Sequence, residues 1–350
     1  MNSLFSLTID EYIGRFSATR NQLVDAYLAS LATYEGHNVY NPWRDYDPRY
    51  DISEEAAKWR LDNLKAYLLP RLGRASHIIV AEAAGYQGCR FTGIPITCER
   101  MLLGFHNVVD PTMISPSTLY RTSHPTSMYI DKAIQRDKGF NEPTDTVVWK
   151  GIVENHLDPY DVLLWNMFPF HPHKVEQALS NRTPTSQELQ CGWQYVKDLL
   201  ALHECLRYEQ GALLSDTEYD THGMTGTNCA VHPRKTNNDK ERMLSDTRAT
   251  STEHRMLSPV IKHYDGENLA STGRTINGEK TSESSDALGK KSEAPRVSDL
   301  HIYGVGQKSA DILAQFGVTA IALRHPANGG ARLYQEGFAR AVAAYRNESV

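Results

Sequence analysis

The chain has 350 residues, enough to bury a hydrophobic core in one large domain or two ordinary ones. A formal net charge of −5 argues against a basic coat for nucleic acid over the whole surface, although a local basic patch stays possible. The five cysteines form no CxxC pair, so we expect reduced thiols in a cytoplasmic protein rather than a zinc ribbon or a disulfide framework. No stretch approaches the roughly 20 apolar residues of a membrane span, which excludes a membrane helix.

The first elements that the apolar pattern predicts are helical. Apolar residues recur at helical spacing from about Thr8 to Thr33, with an interruption at 18–20, which predicts two helices or one kinked helix. Because acidic residues come early and no long apolar run follows, this start indicates an amphipathic helix rather than a signal peptide. After a Pro- and Asp-rich connector at 41–51, a helix opens at Ser53 and runs to about Leu69.

Strands and helices then alternate along the chain. HIIVAEA is a short apolar strand, and Thr185 with Glu188 forms a capping-box pattern at the start of a long helix. The remaining predicted elements are a helix near 99–103, a helix within 146–156, a strand at 161–170, a strand at 299–306, a helix at 307–317, a strand from 318 and a helix at 331–346. This alternation predicts an α/β protein with a parallel sheet of four strands that helices cover on both faces.

One segment, residues 214–296, does not follow this pattern. It is rich in Ser, Thr, Asn, Asp, Glu, Lys and Gly and has almost no apolar periodicity. Such a segment cannot bury enough apolar surface to offset the entropy of ordering it. We therefore predict one domain made of residues 1–213 and 297–350, interrupted by a low-complexity, disordered insertion, with a small additional domain as the alternative.

Polar side chains stand at the ends of three predicted strands. Glu82, Asn166 and His325 each close an apolar run, and the carboxyl ends of parallel strands meet at one edge, where ligands bind. Taken singly, each has an ordinary alternative: a solvated cap for Glu82, a loop cap for Asn166 and a structural role for His325. A metal pair at His171 and His173 lacks a third ligand, so we predict no metal.

Four stretches, in this order, resemble the uracil-DNA glycosylase superfamily. They are AEAAGYQGCRFTGIP, WNMFPFHPH, LSNRTPT and RHPANGGAR, and they are most similar to a bacterial uracil-DNA glycosylase-like group. The resemblance covers roughly residues 41–211 and 299 to the end. It implies the three-layer α/β/α fold of that superfamily, with a four-stranded parallel sheet.

The resemblance also implies roles for individual residues. Glu82 becomes the carboxylate of the water-activating motif, Asn166 the amide that reads the base, and His325 the histidine of the histidine–proline motif. Ile96 stands where the family has the phenylalanine that stacks on uracil, so Phe91 or Tyr86 is expected to take over the stacking. Contact with DNA is implied for two loops, through Gly85, Gly88, Asn328, Gly329, Gly330 and Arg332.

Three further positions depart from the family pattern. Ala81 and Ala84 replace a usual Gly and Pro around the carboxylate, and Ala327 replaces a common serine. The iron–sulfur branch of the superfamily requires four cysteines, whereas this chain has Phe170 near one ligand position and no N-terminal pair. We therefore predict no cluster and no other cofactor.

The predicted function is hydrolysis of the N-glycosidic bond of uracil flipped out of DNA, which leaves an abasic site. The expected partner is uracil-containing DNA, single- or double-stranded, and the expected enzyme is a cytoplasmic monomer, associated with the nucleoid if the source is bacterial. One alternative is a DNA-binding relative with altered or lost activity, and another is a nucleoside or nucleotide hydrolase. Acceptance of hypoxanthine or xanthine is left open.

Overall fold

The described helices pack around an open sheet of four parallel strands. The computed structural model describes residues 19–219 and 300–348. The predicted helical stretch before residue 19 and the predicted insertion from residue 220 onward lie outside the described residues. At the near side of that insertion, the helix that begins at Ser186 continues to Tyr219, beyond the boundary at 214 that the composition predicts.

The described elements alternate as the sequence predicts. In chain order they are α1 (Arg20–Leu31), β1 (Val39–Tyr40), α2 (Ala56–Leu68), β2 (His77–Ala83), α3 (Cys89–Thr92), α4 (Glu99–Leu102), α5 (Pro111–Ile114), α6 (Ala133–Lys138), α7 (Pro143–Glu154), a 3₁₀ turn (Pro159–Asp161), β3 (Val162–Phe168), β4 (His171–Pro172), α8 (Ser186–Tyr219), β5 (His301–Val305), α9 (Gln307–Gln315), β6 (Ile321–Leu323) and α10 (Ala331–Glu348).

The central sheet has the strand order β3-β2-β5-β6, and every neighbouring pair is parallel. All residues of β3 and the first five of β2 are buried, because helices cover both faces of the sheet at these strands. This arrangement confirms the predicted α/β class with three layers. A second, two-stranded antiparallel ladder joins β1 to β4 and was not predicted, because two-residue strands carry no periodic signal.

Local sequence explains where several helices begin. Thr19 and Gln22 form a capping box before α1, and the predicted box of Thr185 and Glu188 is present before α8, with its two hydrogen bonds at 3.2 and 2.7 Å. Helix α7 begins at Pro143, three residues before the predicted start, because proline fits the first helical position, where no N–H donor is needed.

Helix α7 is fixed by contacts on two sides. Gly151 lies against α10, where a Cβ atom would come within 3.2 Å of the Phe338 ring and 3.4 Å of the Tyr334 ring. On the other side, the indole Nε1 of Trp149 donates a hydrogen bond of 3.0 Å to the carbonyl oxygen of Ile96. The middle of α7 is thereby held between α10 and the loop that follows α3.

A cluster of four charged side chains, three of them fully buried, ties the connector at 41–51 to α2 and α3. We call it the arginine–aspartate cluster: Asp47, Asp51, Arg60 and Arg90. Arg60 Nη1 lies 3.2 Å from Asp51 Oδ1 with both side chains fully buried, and Arg90 approaches both carboxylates at 3.7 and 3.9 Å. The Arg90 guanidinium also lies 4.0 Å from the centre of the Tyr40 ring. The loop between β2 and α3 contains Gly85 and Gly88, and we call it the glycine loop. Since Arg90 belongs to α3, the cluster anchors the segment that follows this loop.

Among the described helices, none combines the length and apolar content that crossing a membrane demands.

Candidate functional site

A cavity of about 610 Å³ lies at the carboxyl end of the sheet. The end of β2, the middle of β3, the start of α7, the loop before α8 and the loop after β6 form its walls. Its lining residues are Ala81, Glu82, Ala83, Ala84, Gly85, Cys89, Ile96, Glu142, Thr144, Asp145, Asn166, Asn181, Arg182, Thr183, Pro184, His325, Ala327 and Asn328. The three strand-end residues singled out by the sequence, Glu82, Asn166 and His325, therefore share one cavity.

Glu82 lies next to the last residue of β2, with 26% of its side chain exposed. In the sequence, Glu82 stands between two alanines, which bring no polar side chain to it. The fold supplies one from α9: Lys308 Nζ lies 3.3 Å from Glu82 Oε1. Lys308 itself is 60% exposed, so this pair is a solvated contact at the mouth of the cavity.

Asn166 stands opposite Ala81 in the ladder between β3 and β2 and is 1% exposed. Its Nδ2 atom is buried and has no hydrogen-bond partner in the protein. An amide donor left without a partner away from water costs about 1–3 kcal/mol. Since the side chain lines the cavity, a ligand with an acceptor atom would remove that cost.

His325 is half-buried in the loop after β6. The backbone N–H of Ala327 donates to its Nδ1 at 3.1 Å, which assigns the ring proton of the neutral form to Nε2. Burial lowers the pKa of His325, the charge of Glu82 opposes this, and that of Arg324 adds to the lowering. The ring is therefore neutral at pH 7 and presents an N–H donor.

The backbone around His325 has no room for larger residues. A Cβ at Gly330 would lie 2.0 Å from the His325 carbonyl oxygen, and Gly306, at φ +89°, packs against the histidine ring. Only glycine permits both the close approach and the left-handed backbone. These two glycines fix the loop that carries the histidine.

Ile96 lines the cavity at the position where the family pattern has a phenylalanine. Its φ is +51°, a left-handed conformation that β-branched residues rarely adopt. Its carbonyl accepts the hydrogen bond from Trp149, so the strained backbone is held by α7. An aliphatic wall replaces a stacking ring here.

The two aromatic residues expected to compensate for Ile96 do not line the cavity. Phe91 is fully buried in a small cluster of its own and stacks on Phe140, with ring centres 4.4 Å apart. The Tyr86 ring packs edge-on against Phe140 at 6.3 Å. The α3 turn rotates Phe91 inward, toward the arginine–aspartate cluster, where Arg90 lies 4.6 Å from its ring centre. The structure thus does not bring these rings to the cavity wall.

Of the six residues expected to contact DNA, two line the cavity and four do not. Gly85 and Asn328 line the cavity, and Asn328 adopts φ +54°. The other four do not line it: Gly88, Gly329, Gly330 and Arg332. Gly88 packs on a carboxylate described next, and Arg332 is exposed and paired with Glu336 at 2.5 Å.

Two acidic residues of the cavity wall escaped sequence reasoning. Glu142 caps α7 and Asp145 lies in its first turn. Glu142 Oε2 and Asp145 Oδ2 are both buried without a hydrogen-bond partner. Burial raises the pKa of Glu142, and burial followed by the charge of Glu142 raises the pKa of Asp145 well above its usual range. The only signal in the sequence was the acid–proline–acid pattern NEPTD, which is equally typical of an ordinary helix start.

The loop before α8 was recognised as a motif but given no role. Asn181 accepts a hydrogen bond from the backbone of Tyr86 at 3.0 Å, which links this loop to the glycine loop. The Arg182 guanidinium is held by both oxygens of Glu188, at 2.6 and 2.7 Å. Arg182 therefore contributes to the wall as a paired side chain rather than as a free cation.

In the ranges 19–219 and 300–348, no group of three or more His, Cys, Asp or Glu residues is arranged to hold a metal ion. His171 Nε2 lies 2.8 Å from the carbonyl oxygen of Ser180, so this histidine serves the loop before α8.

Comparisons with known proteins do not identify the family of this chain. No family model matches the chain, and no curated protein sequence matches it. Among solved structures, that of wild-type Pedobacter heparinus SMUG2 is similar, with 11% sequence identity and a TM-score of 0.40 over 93% of this chain and 98% of that chain. At that identity and TM-score the likeness does not decide the function, which has to be argued from the cavity.

Proposed function

We propose that this protein is a DNA glycosylase that hydrolyses the N-glycosidic bond of uracil flipped out of DNA. The observation that carries the proposal is the convergence of three groups on one cavity: the Glu82 carboxylate, the unpartnered Asn166 amide and the neutral His325 ring. The four motifs that resemble the uracil-DNA glycosylase superfamily support it independently. A volume of about 610 Å³ also suits one nucleotide rather than a duplex.

The reaction requires two opposite electrostatic environments. As the glycosidic bond breaks, the sugar approaches an oxocarbenium ion and the base departs as an anion. A flipped nucleotide is needed because the glycosidic carbon and the base edge are inaccessible within the stack, and flipping costs a few kcal/mol. The site must therefore stabilise positive charge at the sugar and negative charge at the base.

Glu82 is suited to the sugar side. Its partly exposed carboxylate lies at the mouth of the cavity, where a water molecule can reach it. In this role the carboxylate orients or deprotonates the attacking water and stabilises the developing cation. Lys308 keeps one carboxylate oxygen oriented and offers a positive charge where a phosphate of the DNA would pass.

Asn166 and His325 are suited to the base side. The buried amide offers donors and an acceptor to the edge of a planar base, and a base with the wrong pattern leaves those groups unpaired. The His325 Nε2–H donates to the oxygen on which the negative charge develops.

The decisive experiment measures base release from oligonucleotides that carry U:G, U:A, single-stranded U or hypoxanthine. We expect release of uracil by the wild type without added metal. Glu82→Gln should reduce the rate by about 10²–10⁴-fold, and His325→Ala by about 10²–10³-fold. Asn166→Ala should reduce it for uracil most strongly, because this amide reads the base.

Glu154→Gln is the matched control, since it makes the same chemical change at the exposed end of α7, where Glu154 pairs only with Lys150. It should release uracil at the wild-type rate. Undiminished release by both Glu82→Gln and Asn166→Ala would overturn the proposal. Turnover of free deoxyuridine with no release from DNA would point instead to a nucleoside hydrolase.

A further inference from the structure

Glu142 and Asp145 form a carboxyl pair on the cavity wall that the proposed reaction does not use. The glycine loop covers them: a Cβ at Gly85 would lie 3.2 Å from Glu142 Oε2, and one at Gly88 would lie 2.5 Å from Asp145 Oδ2. The two glycines that were expected to make room for a nucleotide thus also make room for these oxygens. Both acids nevertheless line the cavity.

The groups that face this pair do not neutralise it. Within residues 19–219 and 300–348, neither carboxylate forms an ion pair with a Lys, Arg or His side chain. The titratable side chains around the pair are Tyr86 beside Glu142, and Cys89 and Cys98 beside Asp145. All three are uncharged at pH 7: burial, then the neighbouring carboxylate, raises the pKa of Tyr86 and Cys89, and raises that of Cys98 to about 12.

The charged groups elsewhere on the wall are also unable to compensate the pair. Arg182 is held by Glu188, and Lys308 pairs with Glu82 at the mouth. Glu82 adds a further negative charge to the cavity, and the neutral His325 adds no positive one. The N-terminus of α7 favours negative charge nearby, but only by about 0.3–1 kcal/mol. Two ionised carboxylates buried together would cost several kcal/mol each.

A second unsatisfied polar group on the cavity wall also points to a bound ligand. Asn166, on β3, is buried and its Nδ2 atom has no protein partner. The cavity therefore holds polar groups from two different elements, β3 and α7, whose buried atoms lack partners in the protein. A planar base with several polar edge atoms is a ligand that can satisfy both.

We propose that Glu142 and Asp145 hold one proton between them and donate it as a hydrogen bond to a carbonyl oxygen of the bound base. This inference rests on the proposed function, because it assumes that a base enters the cavity. It adds a second recognition element to Asn166 and restricts the base to those with a carbonyl oxygen on the edge that faces α7. The raised pKa values of both residues are consistent with a retained proton.

The proton also matters for departure of the base. A doubly ionised pair would repel the departing anion and offer no donor, whereas the singly protonated pair carries one negative charge less and offers one hydrogen bond. As the pH rises through the raised pKa values, the pair loses its proton and base release should slow. Amide side chains at these positions keep a donor but cannot ionise.

The test compares base release between about pH 5 and about pH 9, a range that spans the ordinary pKa of histidine and the raised values of the pair. The full-length wild type, Asp145→Asn, Glu142→Gln, Asp145→Ala and Glu142→Ala are assayed on a single-stranded uracil oligonucleotide. We expect a decline on the alkaline side for the wild type and for the control Glu154→Gln, and a weaker decline for the amide variants. Each alanine variant should be at least about tenfold slower at neutral pH than the matching amide variant, because it lacks the donor.

A second readout does not depend on activity. In the unfolded chain these carboxyl groups ionise near their usual values of 3.8 and 4.5, whereas in the folded protein they stay protonated to higher pH. Stability that is fully present below those values is therefore lost as the pH rises toward the folded-state pKa. Thermal unfolding should show Asp145→Asn gaining stability over the wild type as the pH rises from about 4.

The outcomes separate this inference from the proposed function. If the wild type releases uracil but the amide variants share its pH profile and its pH dependence of unfolding, the proton-holding pair is overturned. If the amide variants are slower than the alanine variants, a charge is needed and the inference is again wrong. If the wild type releases no base, the proposed function fails and the recognition role fails with it, while the unfolding data still decide whether the pair holds a proton.

Discussion

Two regions of the described part of the chain each hold one buried and one partly buried carboxylate, and they differ in the cations that face these carboxylates. In the arginine–aspartate cluster, Asp51 is fully buried against Arg60, and Asp47 is reached by Arg90 and Arg49. On the cavity wall, Glu142 and Asp145 have no such partner within the described residues. The cavity therefore leaves its acids available to a ligand, whereas the cluster uses its acids to join chain segments.

The pKa of Asp47 in the cluster moves in the opposite direction from the pKa values of Glu142 and Asp145. Burial alone would raise the pKa of Asp47, but hydrogen bonds from Arg49 and the charges of Arg90 and Arg49 lower it below its usual value. Burial raises the pKa of both Glu142 and Asp145, and no neighbouring cation offsets it. The nearby arginines thus account for the opposite directions of these pKa shifts.

The largest effect on stability is expected when the arginine that pairs with Asp51 is removed from the arginine–aspartate cluster. Arg60→Met should lower the free energy of unfolding by about 3–5 kcal/mol, because it leaves Asp51 buried without its closest cation. Urea denaturation measures this. The control Arg44→Met removes an exposed pair with Glu35 and should cost no more than about 1 kcal/mol. A loss for Arg60→Met as small as that of the control would show that the cluster is not compensated as described.

The next largest effect is expected when a side chain is added to the glycine loop where it packs on Asp145. Gly88→Ala places a methyl group 2.5 Å from Asp145 Oδ2, so a buried side chain must move. We expect a loss of about 1–3 kcal/mol in stability and, from displacement of the pair, up to about a hundredfold slower base release. In the control Gly337→Ala, the nearest atom is Leu323 Cδ2 at 3.6 Å, so neither quantity should fall. Equal behaviour of the two variants would contradict the contact.

A smaller effect is expected for Asp47, and the direction of its pH dependence distinguishes the cluster from the cavity wall. Asp47→Asn should cost about 1–2 kcal/mol near neutral pH, because charge-assisted hydrogen bonds from Arg49 are lost. Since the folded-state pKa of Asp47 is lowered, this contribution is present above about pH 4 and disappears as the pH falls through that pKa. Chemical denaturation at several pH values should therefore show a difference that shrinks toward acid. A difference that grows toward acid would mean that Asp47 is not held in its ionised form.

The smallest effect is expected at the exposed pair. Lys308→Met should change the free energy of unfolding by no more than about 1 kcal/mol, because Lys308 is mostly solvated and its contact with Glu82 is screened by salt. Denaturation at low and high salt provides the measurement. A loss above about 2 kcal/mol would place Lys308 among the structural charges instead.

Much of the fold follows from signals that are local in the sequence. Strand β2 is built on the apolar run at 78–81, of the kind that a sheet covered on both faces buries, and its observed bounds, His77–Ala83, match the prediction. The start of α8 follows from two side chains, Thr185 and Glu188, that satisfy each other's backbone donors. The meeting of Glu82, Asn166 and His325 follows from parallel strands alone.

The rest of the site depends on long-range packing that no local pattern encodes. Glu142 and Asp145 are read from the sequence as ordinary acids at a helix start, and only the placement of α7 against the glycine loop buries them. Likewise, Phe91 belongs to a motif that suggests a base-stacking ring, but the α3 turn directs it to Phe140. The motifs that resemble the superfamily supply several residues of the cavity wall, while side-chain direction depends on the packing around each segment.

Helix α7 has a consequence for the size of ligand that this protein accepts. Its first turn carries the acidic wall, its middle supports Ile96 through Trp149, and Gly151 presses it against α10. A ligand that is too large cannot move this wall without separating two helices of the hydrophobic core. We therefore expect the upper limit on ligand size to be set by the contact between α7 and α10 rather than by Gly85 on the cavity wall.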